Sequence, residues 1–156
     1  MSAGNSFEAV DYFKKAIEKD SKYEMMYFNL AQAHMKLQNY DEALHAIRQC
    51  LKLYPDYNRG LNLMGMAYLN KNKYADALQV FRRNMMVNPK YVASYYYAGV
   101  IYAQNKDLKT ALKYLEEAIE VNGRYKPAYL LIAQIYKMQG NETMAQRYSD
   151  YANSLR

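Results

Sequence analysis

The chain has 156 residues, of which 19 are Tyr and 10 Met, with only 6 Gly and 3 Pro; so few turn residues exclude an all-β sandwich or a collagen-like repeat and favour helices. Its 51% hydrophobic content excludes a disordered tail, yet no apolar run approaches the roughly 20 residues of a membrane span, and a signal peptide's basic start and apolar stretch are missing. The net charge of +6 is mild and the one cysteine excludes an internal disulfide or a zinc finger, so the chain is expected to be soluble, without direct membrane insertion.

Residues repeat along the chain at a fixed interval. Ala9, Ala43, Ala77, Ala111 and Ala145 are each 34 residues apart, as are Tyr23, Tyr57, Tyr91 and Tyr125. Two more columns share the period: Ala31, Gly65, Gly99, Ala133, and His34, Tyr68, Tyr102, Tyr136. The first segment, 4–23, reads as a half repeat. Gly4-Asn5 falls in register with Gly140-Asn141 and is expected to be a turn, followed by a second helix over Phe7 to Lys19. The first helix of that pair is missing, so the chain is expected to be a piece of a longer protein, with a natural half-repeat cap as the alternative.

Segments 24–57, 58–91 and 92–125 each read as two helices. In the last of these, Tyr95, Ala98, Gly99 and Tyr102 follow the i, i+3, i+4, i+7 spacing of one helical face, and Leu108, Ala111, Leu112, Leu115 and Ile119 form a second such face. Short polar turns separate the helices at Gln38-Asn39, Asn72-Lys73, Lys106-Asp107 and Gly140-Asn141, and Pro55 and Pro89 discourage continuation after the second helix. The small residues of the Ala31 column are expected to pack against the alanines of the Ala43 column on the second helix, because neither side brings a bulky side chain to the crossing. Segment 126–156 ends in a helix expected over 143–155, where Ser149 replaces the Phe13, Ile47, Phe81 and Leu115 of the other segments. A polar residue there suits a terminal capping helix.

The pattern Leu61, Met64-Gly65, Tyr68, Ala77, Phe81, Pro89 resembles the tetratricopeptide repeat (TPR), a helix-turn-helix unit of 34 residues. Tyr27, Leu30-Ala31, His34, Ala43, Ile47, Pro55 make another copy. Further copies are Tyr95, Ala98-Gly99, Tyr102, Ala111, Leu115, with Gly123 in place of Pro, and Tyr129, Ile132-Ala133, Tyr136, Ala145. The resemblance implies an all-α fold, an α-solenoid of antiparallel helix pairs forming one array over 1–156 and winding as a right-handed superhelix. It also implies that the first helices line a concave groove.

Carried over position by position, the lining is Met25, Phe28, Asn29, Gln32 and Met35; Arg59, Asn62, Leu63, Met66 and Asn70; Tyr96, Tyr97, Val100 and Gln104; Leu130, Leu131, Gln134 and Met138. This surface is apolar and dotted with amides. Met and Tyr adapt to a partner's side chains, and Asn and Gln can pair with an extended backbone, so a protein or peptide partner is expected. Closure of the superhelix or a neighbouring copy offers another way of burying some of these residues. The carboxylate clamp of chaperone-adaptor TPR domains is not expected, because Phe28, Gln32, Leu63, Ala93 and Tyr97 stand where that subtype carries Lys, Asn and Arg.

Other chemistry finds little support. His34 occupies a repeat column, Cys50 falls in a column of small residues, and Gly60 to Gly65 has P-loop spacing but continues with Met66 and Ala67 instead of Lys and Ser/Thr. No enzyme, cofactor or metal site is expected. Residues 58–91 carry a net charge of +5, which leaves an acidic partner docking on that repeat as a further reading. Self-association as an assembly module is the alternative function. RNA binding is the weakest reading, since the positive charge sits in one repeat instead of a continuous stripe.

Overall fold

A computed structural model describes residues 3–20 and 22–155. Among these, nine helices and no strands are found: α1 (Ala3–Lys19), α2 (Glu24–Lys36), α3 (Tyr40–Leu53), α4 (Asn58–Asn70), α5 (Tyr74–Val87), α6 (Val92–Gln104), α7 (Leu108–Val121), α8 (Lys126–Met138) and α9 (Glu142–Ser154). They form two compact units, Met1–Val87 with α1 to α5 and Asn88–Arg156 with α6 to α9. Of the expected segments, the half repeat includes Ser21 and the last ends on Arg156; both residues lie outside the described ones.

The first helices α2, α4, α6 and α8 all stop in the same way. The residue two past the helix takes a left-handed backbone at Gln38 (φ 60°), Asn72 (φ 57°), Lys106 (φ 63°) and Gly140 (φ 75°). Next to each, a backbone N–H reaches back five residues, from Asn39 to the His34 carbonyl, Lys73 to Tyr68, Asp107 to Tyr102 and Asn141 to Tyr136, each at 2.9 Å. This closure satisfies carbonyls that the helix end leaves unpaired. The chain then re-enters a helix at once: the carboxylate of Asp107 accepts from the Thr110 N–H and the amide oxygen of Asn141 from the Met144 N–H, both at 3.1 Å. Gly4 and Asn5 do not form the expected turn. They belong to α1, because the equivalent turns form by capping the carbonyls of a preceding helix, and none precedes them among the described residues.

Within each pair, the column residues meet. The crossing differs from the expected contact between small residues: a Cβ added at Gly65 would stand 2.5 Å from Phe81 Cε1, and one at Gly99 would stand 2.8 Å from Leu115 Cγ and 3.3 Å from the Ala111 carbonyl, so these glycines make room for a large side chain of the second helix. In the first unit, Phe28, Leu30, Ala31, Ala46, Ile47 and Cys50 form a buried cluster against which Val10, Phe13 and Ile17 of α1 pack. In the second, Ala111, Leu115, Ala118, Ala128, Ile132 and Ile135 do the same. The tyrosine column lies against the second helices: Tyr68 accepts a hydrogen bond from Arg48 at 3.0 Å, while Tyr102 stacks on Tyr114 and Tyr136 on Tyr148 at 5.4 and 5.6 Å. Tyr95 and Tyr129 donate to the carbonyls of Pro89 and Gly123, at 3.2 and 2.9 Å. The link therefore survives where Gly123 replaces proline.

Candidate peptide-binding faces

The side chains expected to line a groove fall into two sets, one in each unit. In the first unit α2 and α4 place Met25, Asn29, Gln32, Asn62, Leu63 and Met66 half-buried, with Arg59 and Asn70 exposed. Phe28 departs from the expectation. It is 2% exposed, with its ring edge-on to Tyr57 at 5.1 Å and the Arg59 guanidinium 5.1 Å from its centroid. Phe28 is therefore core, with the Arg59 cation lying over its ring.

Hydrogen bonding on this face is incomplete. The Asn62 amide nitrogen donates to the Met66 sulfur at 3.4 Å and that of Asn70 to the Met66 carbonyl at 2.9 Å. Asn62 Oδ1 is buried without a partner, which costs free energy on the order of 1–3 kcal/mol unless a donor is brought to it. Asn29 and Gln32 join Asn5, Ser6, Ala9, Phe13, Ala33 and Lys36 around a pocket of about 300 Å³. The α1 residues of that pocket escape sequence reasoning because the groove positions are carried by first helices alone.

In the second unit α6 and α8 bring together Tyr96, Leu130, Leu131 and Gln134 with Lys126 and Pro127 around a pocket of about 360 Å³. Leu130 is 44% exposed. Tyr96 meets Tyr97 and Tyr125 edge-on at 5.2 and 5.5 Å, and Val100 is half-buried on α6. Burial holds the phenols of Tyr96 and Tyr97 above their usual range and pushes Tyr125 up to about 12. All three present neutral hydroxyls at physiological pH. Tyr125, Lys126 and Pro127 are absent from the expected lining; the Tyr125 column signals a repeat position but not which surface it serves.

Of the residues set aside as structural, Cys50 is wholly buried and its thiol is pushed up to about 11 by burial, which makes it a poor nucleophile. His34 is 6% exposed with Nδ1 unpartnered, and burial lowers its pKa. Among the described residues no group of three or more His, Cys, Asp or Glu side chains could hold a metal ion, and no helix is long and apolar enough to cross a membrane.

Paired helices with a capped left-handed turn, small residues at the crossing and an outward apolar face on the first helix define an α-solenoid of the kind that supports protein–protein contacts. The tetratricopeptide repeat family model matches residues 1–57, 28–84 and 62–127, and the chain belongs to that family. Solved structures share the fold. MamA from Desulfovibrio magneticus RS-1 superposes with a TM-score of 0.82 at 18% identity, over 97% of this chain and 86% of its own. TTC0263, a thermophilic TPR protein of Thermus thermophilus, gives 0.80 at 21% identity, over 97% and 84%. YrrB, described as a TPR protein with an unusual peptide-binding site, gives 0.71 at 18% identity, over 98% and 79%. No curated protein matches the sequence significantly.

Proposed function

We propose that the chain is a non-enzymatic interaction scaffold that holds a peptide or helix of a partner protein against the first-helix faces, α2/α4 in one unit and α6/α8 in the other. One observation carries this reading. The α6/α8 face keeps an open apolar pocket of about 360 Å³, with Leu130 44% exposed, whereas the second helix α7 turns Lys109, Lys113, Glu116 and Glu120 to solvent. Packing within the repeats uses the other side of α6 and α8, so the apolar residues left outward suit an interface. The unpartnered Asn62 oxygen supports the same reading for α2/α4, since a backbone N–H from an extended peptide is the donor it lacks. The peptide-binding site ascribed to YrrB is a further precedent within the fold.

Site-specific photo-crosslinking tests the assignment. A benzophenone side chain at Met66 or Leu130 should capture partner protein, and one at Lys113 on α7 should not. Met66→Asp and Tyr97→Ala should abolish capture while leaving the circular dichroism spectrum intact. Capture unchanged in both variants, or equal from Lys113, refutes the faces as the binding surface.

A further inference from the structure

Resting on the reading of α6/α8 as a peptide face, we infer that its pocket takes an apolar side chain from a peptide segment rich in Asp and Glu. Tyr96, Pro127, Leu130 and Leu131 form the apolar walls, and their 360 Å³ suits one or two large side chains. Lys126 and Gln134 complete the lining. Charge is segregated around this pocket. Neither α6 (VASYYYAGVIYAQ) nor α8 (KPAYLLIAQIYKM) contains a carboxylate, and α8 adds Lys126 and Lys137.

The six carboxylates of this unit, Asp107, Glu116, Glu117, Glu120, Glu142 and Asp150, sit in α7, in α9 or at the residue that opens α7. No acid on α6 or α8 therefore competes with an incoming carboxylate for Lys126. The half-buried phenols of Tyr96 and Tyr97 stay protonated, so they add no negative charge. A basic peptide with the same apolar anchor would meet only like charge on these two helices, which is how a face of one sign discriminates between partners.

Selection from a random 12-residue peptide library displayed on phage, against the intact chain, tests the inference. The expected winners place a large apolar residue beside Asp or Glu. Their affinity, followed by fluorescence anisotropy, should fall about fivefold or more in Lys126→Glu and with added salt, the scale of one exposed ion pair reversed or screened. Glu at the first turn of α8 complements the helix dipole, so that variant is expected to fold. Winners that are neutral or basic, or that bind Lys126→Glu as well as the parent chain, overturn the acidic preference and leave the peptide face standing. No enrichment, or winners indifferent to Leu130→Asp, overturns the peptide face itself and this inference with it.

Discussion

Gly65→Ala should destabilise the chain although alanine is the better helix former. The added methyl would lie 2.5, 2.6 and 2.9 Å from three carbons of the Phe81 ring, where carbon pairs prefer about 3.5–4.0 Å. Either the ring or α4 must therefore give by roughly 1 Å. Phe81 is fully buried, so neither moves freely, and overpacking of this kind costs about 1–3 kcal/mol. Against it stands a helix-propensity gain of about 1 kcal/mol, leaving a net loss of up to ~2 kcal/mol. The partner column tells how to relieve it: Ala31 pairs with Ile47 where Gly65 pairs with Phe81. Phe81→Ile alone leaves a void, but in the double variant the methyl fills part of it. A double-mutant cycle from urea unfolding, followed by far-ultraviolet circular dichroism with matched m-values, should give a favourable coupling of about 1 kcal/mol or more. Because a solenoid can unfold repeat by repeat, amide hydrogen exchange in α4 and α5 should show the same order of stability. A stabilising Gly65→Ala, or strict additivity in the cycle, refutes the idea that the size of the second-helix residue dictates the glycine.

The left-handed positions offer the opposite change: Gln38→Gly and Lys106→Gly should each stabilise by about 0.5–1 kcal/mol by removing a Cβ from a strained backbone, measured as a rise in the urea midpoint. His34 should make stability pH-dependent. Its folded pKa lies below the ordinary histidine value, so its contribution is complete above about pH 6.5 and is lost as pH falls toward the folded pKa, where the unfolded chain binds a proton that the native state resists. His34→Phe should remove that part of the loss between pH 7.5 and 5.5, and an unchanged slope would show that other groups cause it. Cys50, buried with its thiol at about 11, should react with a disulfide reagent at pH 8 only on unfolding of the first unit; prompt labelling of the native chain contradicts its burial. Asn84→Ala should lower the urea midpoint by the equivalent of about 1–2 kcal/mol, since its amide donates to the Asn58 carbonyl at 3.1 Å in a fully buried position.

What could be read from the residues alone follows from what the period reports. A 34-residue column marks a contact made again in each helix pair, so the pairing of helices, the close approach at Gly65 and Gly99 and the four turns are legible, because the same position has the same job each time, whereas the large partners at that crossing, Phe81 and Leu115 in place of the expected alanines, are not. Departures within a column are harder. Gln38 and Lys106 give no hint of a left-handed backbone that Asn72 and Gly140 suggest by chemistry, because the helix-closing hydrogen bonds outweigh a modest steric cost. Phe28 reads as groove lining from its position, yet it is covered by Tyr57 at the end of its own segment and by Arg59 of the next, contacts that depend on three residue identities together. Asn5, Ser6 and Lys36 escape notice as pocket residues because a site shared by α1 and α2 has no counterpart in the repeat pattern. The surface chemistry is therefore the least periodic part of the molecule. Each helix pair must pack alike to stack, but the outward residues of α4, α6 and α8 are free to differ: an orphaned asparagine and an arginine in one unit, tyrosines and leucines beside a lysine in the other. If a partner is read anywhere on this chain, those irregular positions have to carry the specificity, since the regular ones are committed to holding the helices together.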